Sequence, residues 1–212
     1  MQEIPDERSI SRRTVLTTAV SAAGAAAFIP LSALTATAQT TKPVLSESQR
    51  HLLEAFVDRL VPRDEYGPSA SDCGVPNYID RSLGDYLASE KSALLEGLAA
   101  TDRLARSMHN ASFTELTPEK KDEVLAAMER GVPESKTGAP GFPDSRTFFF
   151  RVRQLTLEGM FGDPFYGGNQ AYAGWDLIRY PGPRLAVGPE QQQIKVAIKP
   201  VRASAYGGAH GH

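Results

Sequence analysis

"SRTFFFRVRQLTLEGMF", residues 145–161, runs directly into "GDPFYGGNQAYAGWDLIRYPGPR", residues 162–184, and the character of the sequence changes at this junction. The first stretch is typical of a long helix, which Asp144 can cap. The second stretch packs glycine, proline and aromatic residues together with no helical or strand period. The junction therefore predicts a helical domain whose last long helix leads into a long irregular segment.

Five large aromatic side chains occur within 16 residues of that segment. Set among glycines and prolines, they cannot form one face of a helix, and they are too many to leave in water. They either cap the helical domain or face a partner, since Trp and Tyr are favoured at interfaces. The residues alone leave both roles open. These candidate partner-binding residues are Phe165, Tyr166, Tyr172, Trp175 and Tyr180.

Four helices are predicted upstream of residue 133. Ser46 and Gln49 fit a capping box after a short exposed lead-in at residues 39–44, and Pro62 stops the helix that follows. A second helix begins near Pro76, a third covers residues 90–110, and a fourth begins at Thr117 and Pro118 and runs to Gly131. The apolar positions predicted for these helices are Leu45, Leu52, Leu53, Phe56, Val57, Leu60, Tyr78, Ile79, Leu83, Leu87, Leu94, Leu95, Leu98, Leu104, Met108, Val124, Leu125 and Met128. With no alternating strand pattern before the tail, the prediction is a single all-α domain.

The N-terminal 38 residues resemble an export signal. Arg12 and Arg13 follow a serine and precede a weakly apolar run, and Ala36 and Ala38 give a small-x-small cleavage site. A twin-arginine signal is expected, because an ordinary secretory signal with a chance arginine pair would be more apolar. An uncleaved anchor is a further alternative, although the run is poorly apolar for a spanning helix. Cleavage would leave a periplasmic helical domain at residues 39–212, with an irregular aromatic part at 162–189 and a flexible tail at 203–212.

Composition excludes several classes of function. The formal net charge is −2 and no basic block occurs, so nucleic acid is not expected as a partner. The single cysteine, Cys73, cannot form an internal disulfide, bind an iron–sulfur cluster unaided or attach a c-type haem. Cys73 is therefore either a buried thiol or one half of an intersubunit disulfide.

No pattern of catalytic, cofactor-binding or metal-binding residues is found. The chain lacks a dinucleotide-binding glycine motif, a nucleophile elbow and zinc-ligand spacing. The terminal pair His210 and His212 does not make a selective metal site. Glu158 and Asp163 are expected to cap or orient rather than catalyse. A loose group of acidic residues is expected to cap helices and pair with Arg59, Arg63 and Arg81; its members are Asp58, Asp64, Glu65, Asp72 and Asp80.

The segment after residue 147 resembles the signature of the gluconate 2-dehydrogenase subunit 3 family. An aromatic helix leads into Gly-Asp-Pro (162–164), Tyr-Gly-Gly-Asn (166–169), Gly-Trp (174–175) and Tyr-Pro-Gly (180–182). The family's earlier block, a helix end at Leu-x-Pro and a later Gly-Val, is matched at 60–62 and 74–75. A twin-arginine leader is also common in that family.

The resemblance implies a small, non-catalytic subunit of an extracytoplasmic dehydrogenase. Its partner would be a large flavoprotein of the glucose–methanol–choline oxidoreductase type, with FAD in that chain, often accompanied by a cytochrome c subunit that carries haem. The small subunit would supply the export signal for both chains and stabilise the flavoprotein, which oxidises a sugar or sugar acid.

Two other functions compete with this one. A free-standing periplasmic module could stack a sugar on its aromatic segment, and would purify as a colourless monomer. An independent enzyme using Asp and Glu residues is the third, although no base–nucleophile set is visible in the sequence.

Overall fold

Helices account for all the regular structure in the computed structural model, which describes residues 43–132, 145–184, 186–193 and 197–206. Within these ranges there are six α-helices and no strand, so the predicted all-α fold is confirmed. The helices are α1 (Glu47–Leu60), α2 (Val75–Leu83), α3 (Lys91–His109), α4 (Pro118–Arg130), α5 (Ser145–Phe161) and α6 (Ala173–Leu177). No described helix is long and apolar enough to cross a membrane. Several sequence predictions lie outside the described residues: Arg12, Arg13, Ala36, Ala38, Asp144, His210 and His212.

The local signals place the helix ends correctly. Ser46 Oγ accepts the Gln49 N–H at 3.3 Å, and Gln49 Oε1 accepts the Ser46 N–H at 2.9 Å, which completes the predicted capping box. α4 begins at Pro118 after Thr117, and Gly131 follows its last residue, as predicted. α1 therefore begins where side chains bond the unpaired backbone N–H groups, whereas α4 begins at a proline, which has no N–H to satisfy.

The core forms around α5, which contacts α1, α2, α3, α4 and α6. The Phe148 ring meets the Phe56 ring edge to face, with centroids 5.9 Å apart, and Phe149 lies 6.3 Å from the same ring. Gly97 on α3 makes room for Phe148, because a Cβ atom there would lie 2.2 Å from that ring. These contacts fix the position of α5, and therefore of the segment that leaves its C-terminal end.

The predicted apolar faces differ from the observed ones at a few positions. Met108 is exposed at the end of α3 and Leu95 is only half-buried, whereas Leu87 is buried although it lies beyond α2. Val44, in the lead-in predicted to be exposed, is half-buried. The reason is Asp80, whose Oδ1 accepts the Val44 N–H at 2.9 Å and the Leu45 N–H at 2.7 Å.

The acidic residues at the end of α1 and in the loop after it accept hydrogen bonds from backbone N–H groups of that loop. Asp58 accepts the Ser71 N–H at 2.8 Å, and Asp64 accepts the Tyr66 N–H at the same distance. Asp72 accepts the Ser69 N–H and pairs with Arg63, and these contacts lower its pKa, the Ser69 backbone contributing most. The part of the chain that the structure describes contains no group of three or more His, Cys, Asp or Glu placed to hold a metal ion.

Candidate functional site

A short turn at the protein surface begins directly after α5. Asp163 Oδ1 accepts the Phe165 N–H at 2.9 Å and caps a single 3-10 turn, Pro164–Tyr166. Gly167 ends this turn with a φ of 95°, a conformation that glycine adopts without strain. The turn leaves Phe165 and Tyr166 39% and 40% exposed. Two large aromatic side chains are thus presented at the surface by a capped, short turn.

Asn169 fastens the segment to α5. It is fully buried with a φ of 45°, and its backbone N–H donates to the Gly159 carbonyl at 2.7 Å. Its side-chain Nδ2 donates to the Gly162 carbonyl at 3.0 Å, and its Oδ1 accepts the Gly174 N–H at 3.0 Å. One side chain therefore joins the last turn of α5 to the first turn of α6.

Two glycines allow the backbones to approach that closely. A Cβ atom on Gly168 would lie 2.1 Å from the Gly159 carbonyl oxygen, and one on Gly174 would lie 1.9 Å from the Met160 carbonyl oxygen. Neither oxygen belongs to a flexible side chain, so any larger residue would force the segment away from α5.

Trp175 belongs to the interior. It is 6% exposed, and its indole N–H donates to the Phe161 carbonyl at 2.8 Å. The rings of Tyr172 and Tyr180 lie 5.5 Å and 4.8 Å from its own. Of the two roles that the sequence leaves open, this burial supports capping for Trp175, because little of the indole remains for a partner. Partner contact by each of the five aromatic residues stays a prediction.

A third ring joins the two that the turn exposes. Tyr206 is 61% exposed, and its ring lies 5.0 Å from Phe165 and 5.7 Å from Tyr166. The hydroxyls of Tyr166 and Tyr206 are 3.0 Å apart, and the Ala205 N–H donates to Asp163 Oδ2 at 2.8 Å. Within the predicted flexible tail, Ala205 and Tyr206 thus contact the segment. Phe165, Tyr166 and Tyr206 are called the aromatic surface below.

Beside this surface lies a polar network that the sequence did not reveal. The Tyr78 hydroxyl donates to Glu158 Oε2 at 2.7 Å, so the hydroxyl of Tyr86 donates to that of Tyr78. Gln154 Nε2 donates to Glu158 Oε1 at 2.8 Å. Burial, together with the hydrogen bonds to Tyr86 and Glu158, raises the pKa of Tyr78 well above 10.0, which keeps its proton in place. Glu158 is thus held in one orientation by the hydrogen bonds from Tyr78 and Gln154.

Cys73 is fully buried, and its carbonyl oxygen accepts the Gln170 N–H at 3.0 Å. Burial, followed by the charges of Asp72 and Asp58, raises the pKa of the thiol to about 11. The thiol is therefore neutral and enclosed, which favours the buried-thiol interpretation over a bond to another chain. The intersubunit disulfide stays a prediction with a direct test, given in the Discussion.

Comparison with known proteins places these features in one family. Searches against curated proteins and against solved structures returned no match. The family model described as gluconate 2-dehydrogenase subunit 3 matches residues 47–182, from the first residue of α1 to the glycine after Tyr180 and Pro181. The match covers well over half of the chain and includes the Asn169 anchor and both exposed rings of the turn, whereas Tyr206 lies beyond it. The resemblance seen in the sequence is confirmed, and the chain belongs to the gluconate 2-dehydrogenase subunit 3 family.

Proposed function

We propose that this chain is the non-catalytic small subunit of a periplasmic FAD-dependent dehydrogenase acting on a sugar or sugar acid. It supplies the twin-arginine export signal and stabilises the large flavoprotein subunit. Membership of the family supports an accessory subunit of a multisubunit dehydrogenase. The observation that carries the proposal furthest is the aromatic surface, which is held in a fixed position and exposed.

The aromatic surface has the properties of a binding surface. Phe and Tyr are enriched at protein interfaces, where large rings contribute much contact area at a low cost in conformational entropy. Phe165 and Tyr166 are fixed by the Asp163 cap, and Asn169 joins the segment that carries them to the core. Preorganisation of this kind lowers the entropic cost of association. A surface that served only to cover the core would bury these rings more completely.

The cofactor belongs to the partner in this proposal. The chain has no dinucleotide-binding glycine motif, so FAD is expected in a glucose–methanol–choline oxidoreductase-type subunit. A cytochrome c subunit with haem is proposed as a third member of the complex, and electrons then pass to haem or quinone. A flavoprotein that acquires FAD in the cytoplasm must cross the membrane folded, and the signal of this chain would then carry both subunits.

Replacement of the twin arginines tests the export role. In the Arg12→Lys/Arg13→Lys double variant, both this chain and the flavoprotein should remain in the cytoplasm. Arg8→Lys, which leaves the pair intact, is the matched control and should export normally. The measurement is dehydrogenase activity and bound flavin in separated periplasmic and cytoplasmic fractions. Normal periplasmic activity in the double variant would exclude a shared export signal.

Purification distinguishes this function from the free-standing sugar-binding module. Under the proposal, the chain isolated from its own cells carries a yellow flavoprotein in a fixed ratio. A colourless monomer that binds sugars through the aromatic surface would support the alternative.

A further inference from the structure

The outward side of α5 carries a regular stripe. Arg146, Phe150, Arg153 and Leu157 follow one another at spacings of four, three and four residues, which places them on one line along the helix. All four side chains are exposed, although Phe150 and Leu157 are large and apolar. The opposite side of the helix is buried in the core. These four residues are called the outer seam.

The outer seam is positively charged. Arg151, at its edge, is neutralised by Glu90 through two hydrogen bonds of 2.7 Å and 2.8 Å. Within the described ranges, neither Arg146 nor Arg153 has a carboxylate at ion-pair distance. The Arg146 guanidinium lies 5.5 Å from the centre of the Phe150 ring. The seam therefore alternates cationic and apolar groups in a chain whose formal net charge is −2.

The nearest acidic group on α5 does not compensate this charge. Both oxygens of Glu158 accept hydrogen bonds, one from Tyr78 and one from Gln154. These bonds turn the carboxylate toward α2 and along its own helix. No carboxylate among the described residues therefore pairs with Arg146 or Arg153, and both can accept one from a partner.

We propose that the outer seam binds an acidic amphipathic helix of another protein chain. Phe150 and Leu157 are seven residues apart, so they are separated by about 10 Å along the helix axis. A partner helix with apolar residues at the same heptad spacing meets both of them, and its intervening Asp or Glu residues reach the two arginines. Arginine pairs with carboxylates through two parallel hydrogen bonds, which fixes the register as well as the charge.

The identity of the chain that supplies this helix rests on the proposed function, which assigns it to the large flavoprotein subunit. A second copy of this chain fits the charge poorly. Two seams packed together would bring four arginines into one interface with no carboxylate on either stripe, and like charges at an interface are unfavourable. Charge complementarity therefore selects a different, acidic partner.

Peptide binding tests the chemistry of the seam with the full chain. The probe is a fluorescent 21-residue helical peptide. It carries one leucine in each heptad, to meet Phe150 and Leu157, and glutamates at the positions that face the arginines. Binding is followed by fluorescence anisotropy. We expect the peptide to bind, whereas a lysine version and a scrambled glutamate version do not. Charge reversal in the Arg146→Glu/Arg153→Glu double variant should lower the affinity for the glutamate peptide roughly tenfold or more. The same variant should bind the lysine peptide more tightly than the wild type does.

A second double variant controls for net charge. Lys120→Glu/Arg130→Glu, at exposed positions of α4, changes the total charge equally and should leave binding unchanged. Equal weakening by both double variants, or equal binding of the scrambled peptide, would overturn the proposal.

Cross-linking locates the seam in the purified complex. Arg153→Lys introduces an amine that a zero-length carbodiimide can couple to a touching carboxylate, and Arg130→Lys is its matched control. We expect a cross-link from position 153, and none from position 130, to an acidic residue of the co-purifying flavoprotein. A bond within this chain or between two copies of it would overturn the inference. If no flavoprotein co-purifies, the proposed function fails, whereas the peptide experiment still decides the seam.

Discussion

The indole N–H of Trp175 donates a 2.8 Å hydrogen bond to the carbonyl oxygen of Phe161, the last residue of α5. Carbonyl groups at the end of a helix have no partner within the helix, so this contact satisfies one of them. It also places the only tryptophan of the chain between the end of α5 and the rings of Tyr172 and Tyr180. Trp175 is therefore part of the framework that positions the aromatic surface.

Trp175→Ala should destabilise the isolated subunit by about 3–5 kcal/mol, the usual cost of emptying a large buried aromatic site. Trp175→Phe, which keeps most of the apolar contact and loses the hydrogen bond, should cost less. Urea unfolding followed by helical circular dichroism measures both. A Trp175→Ala subunit as stable as the wild type that no longer holds a partner would show instead that the tryptophan is an interface anchor.

Gly174→Ala adds one methyl group and should lower the stability of the subunit strongly. Its Cβ would overlap the Met160 carbonyl oxygen at 1.9 Å, and a backbone atom cannot rotate away. Gly84→Ala is a fair comparison, because its nearest neighbour would be a Val44 methyl group at 3.3 Å. The melting temperature should fall clearly for Gly174→Ala and little for Gly84→Ala. Similar melting curves would mean that α6 does not pack against α5 this closely.

Cys73 should behave as an enclosed thiol. Its folded-state pKa of about 11 lies above the ordinary value of 9.0, so the folded protein holds this proton more tightly than the unfolded chain does. The resulting stability is complete below pH 9 and is lost as the pH rises toward 11. The free energy of unfolding of the wild type should therefore fall between about pH 8 and pH 10, and in Cys73→Ala it should fall less. Unfolding experiments at both pH values measure this difference.

Electrophoresis without reductant decides the disulfide at Cys73. The small subunit of the purified complex should migrate alone, and its thiol should react slowly with disulfide reagents until the protein unfolds. Migration as one band with the flavoprotein, separated by reductant, would establish the intersubunit bond instead.

The helices could be predicted because their signals are local. The Ser46 capping box and the Thr117–Pro118 start need only neighbouring residues, and the apolar stripes need only the helical period. Burial near or beyond a helix end cannot be predicted in the same way. Leu87 is buried and Met108 exposed because of how the elements pack, which a period cannot express.

The candidate site could be predicted in part. Its aromatic residues stand out in the sequence, but which of them are covered depends on contacts across the fold. Asn169 belongs to the Tyr-Gly-Gly-Asn motif, and asparagine tolerates a positive φ, but its side-chain bonds to Gly162 and Gly174 depend on the fold. The Tyr78–Glu158 contact joins residues 80 positions apart, and no local pattern indicates it.

If the aromatic surface binds the flavoprotein, removing the two exposed rings of its turn should release the flavoprotein from a folded small subunit. Phe165→Ser/Tyr166→Ser and, as a control, Tyr66→Ser at another exposed ring are purified through a tag on this chain. Bound flavin is measured per small subunit, beside the melting curve of each isolated subunit. The double variant alone should unfold at the wild-type temperature yet retain the flavoprotein at least about tenfold more weakly, since interface anchors contribute about 2 kcal/mol or more. Full retention of flavin by a folded double variant would exclude the aromatic surface as the binding surface.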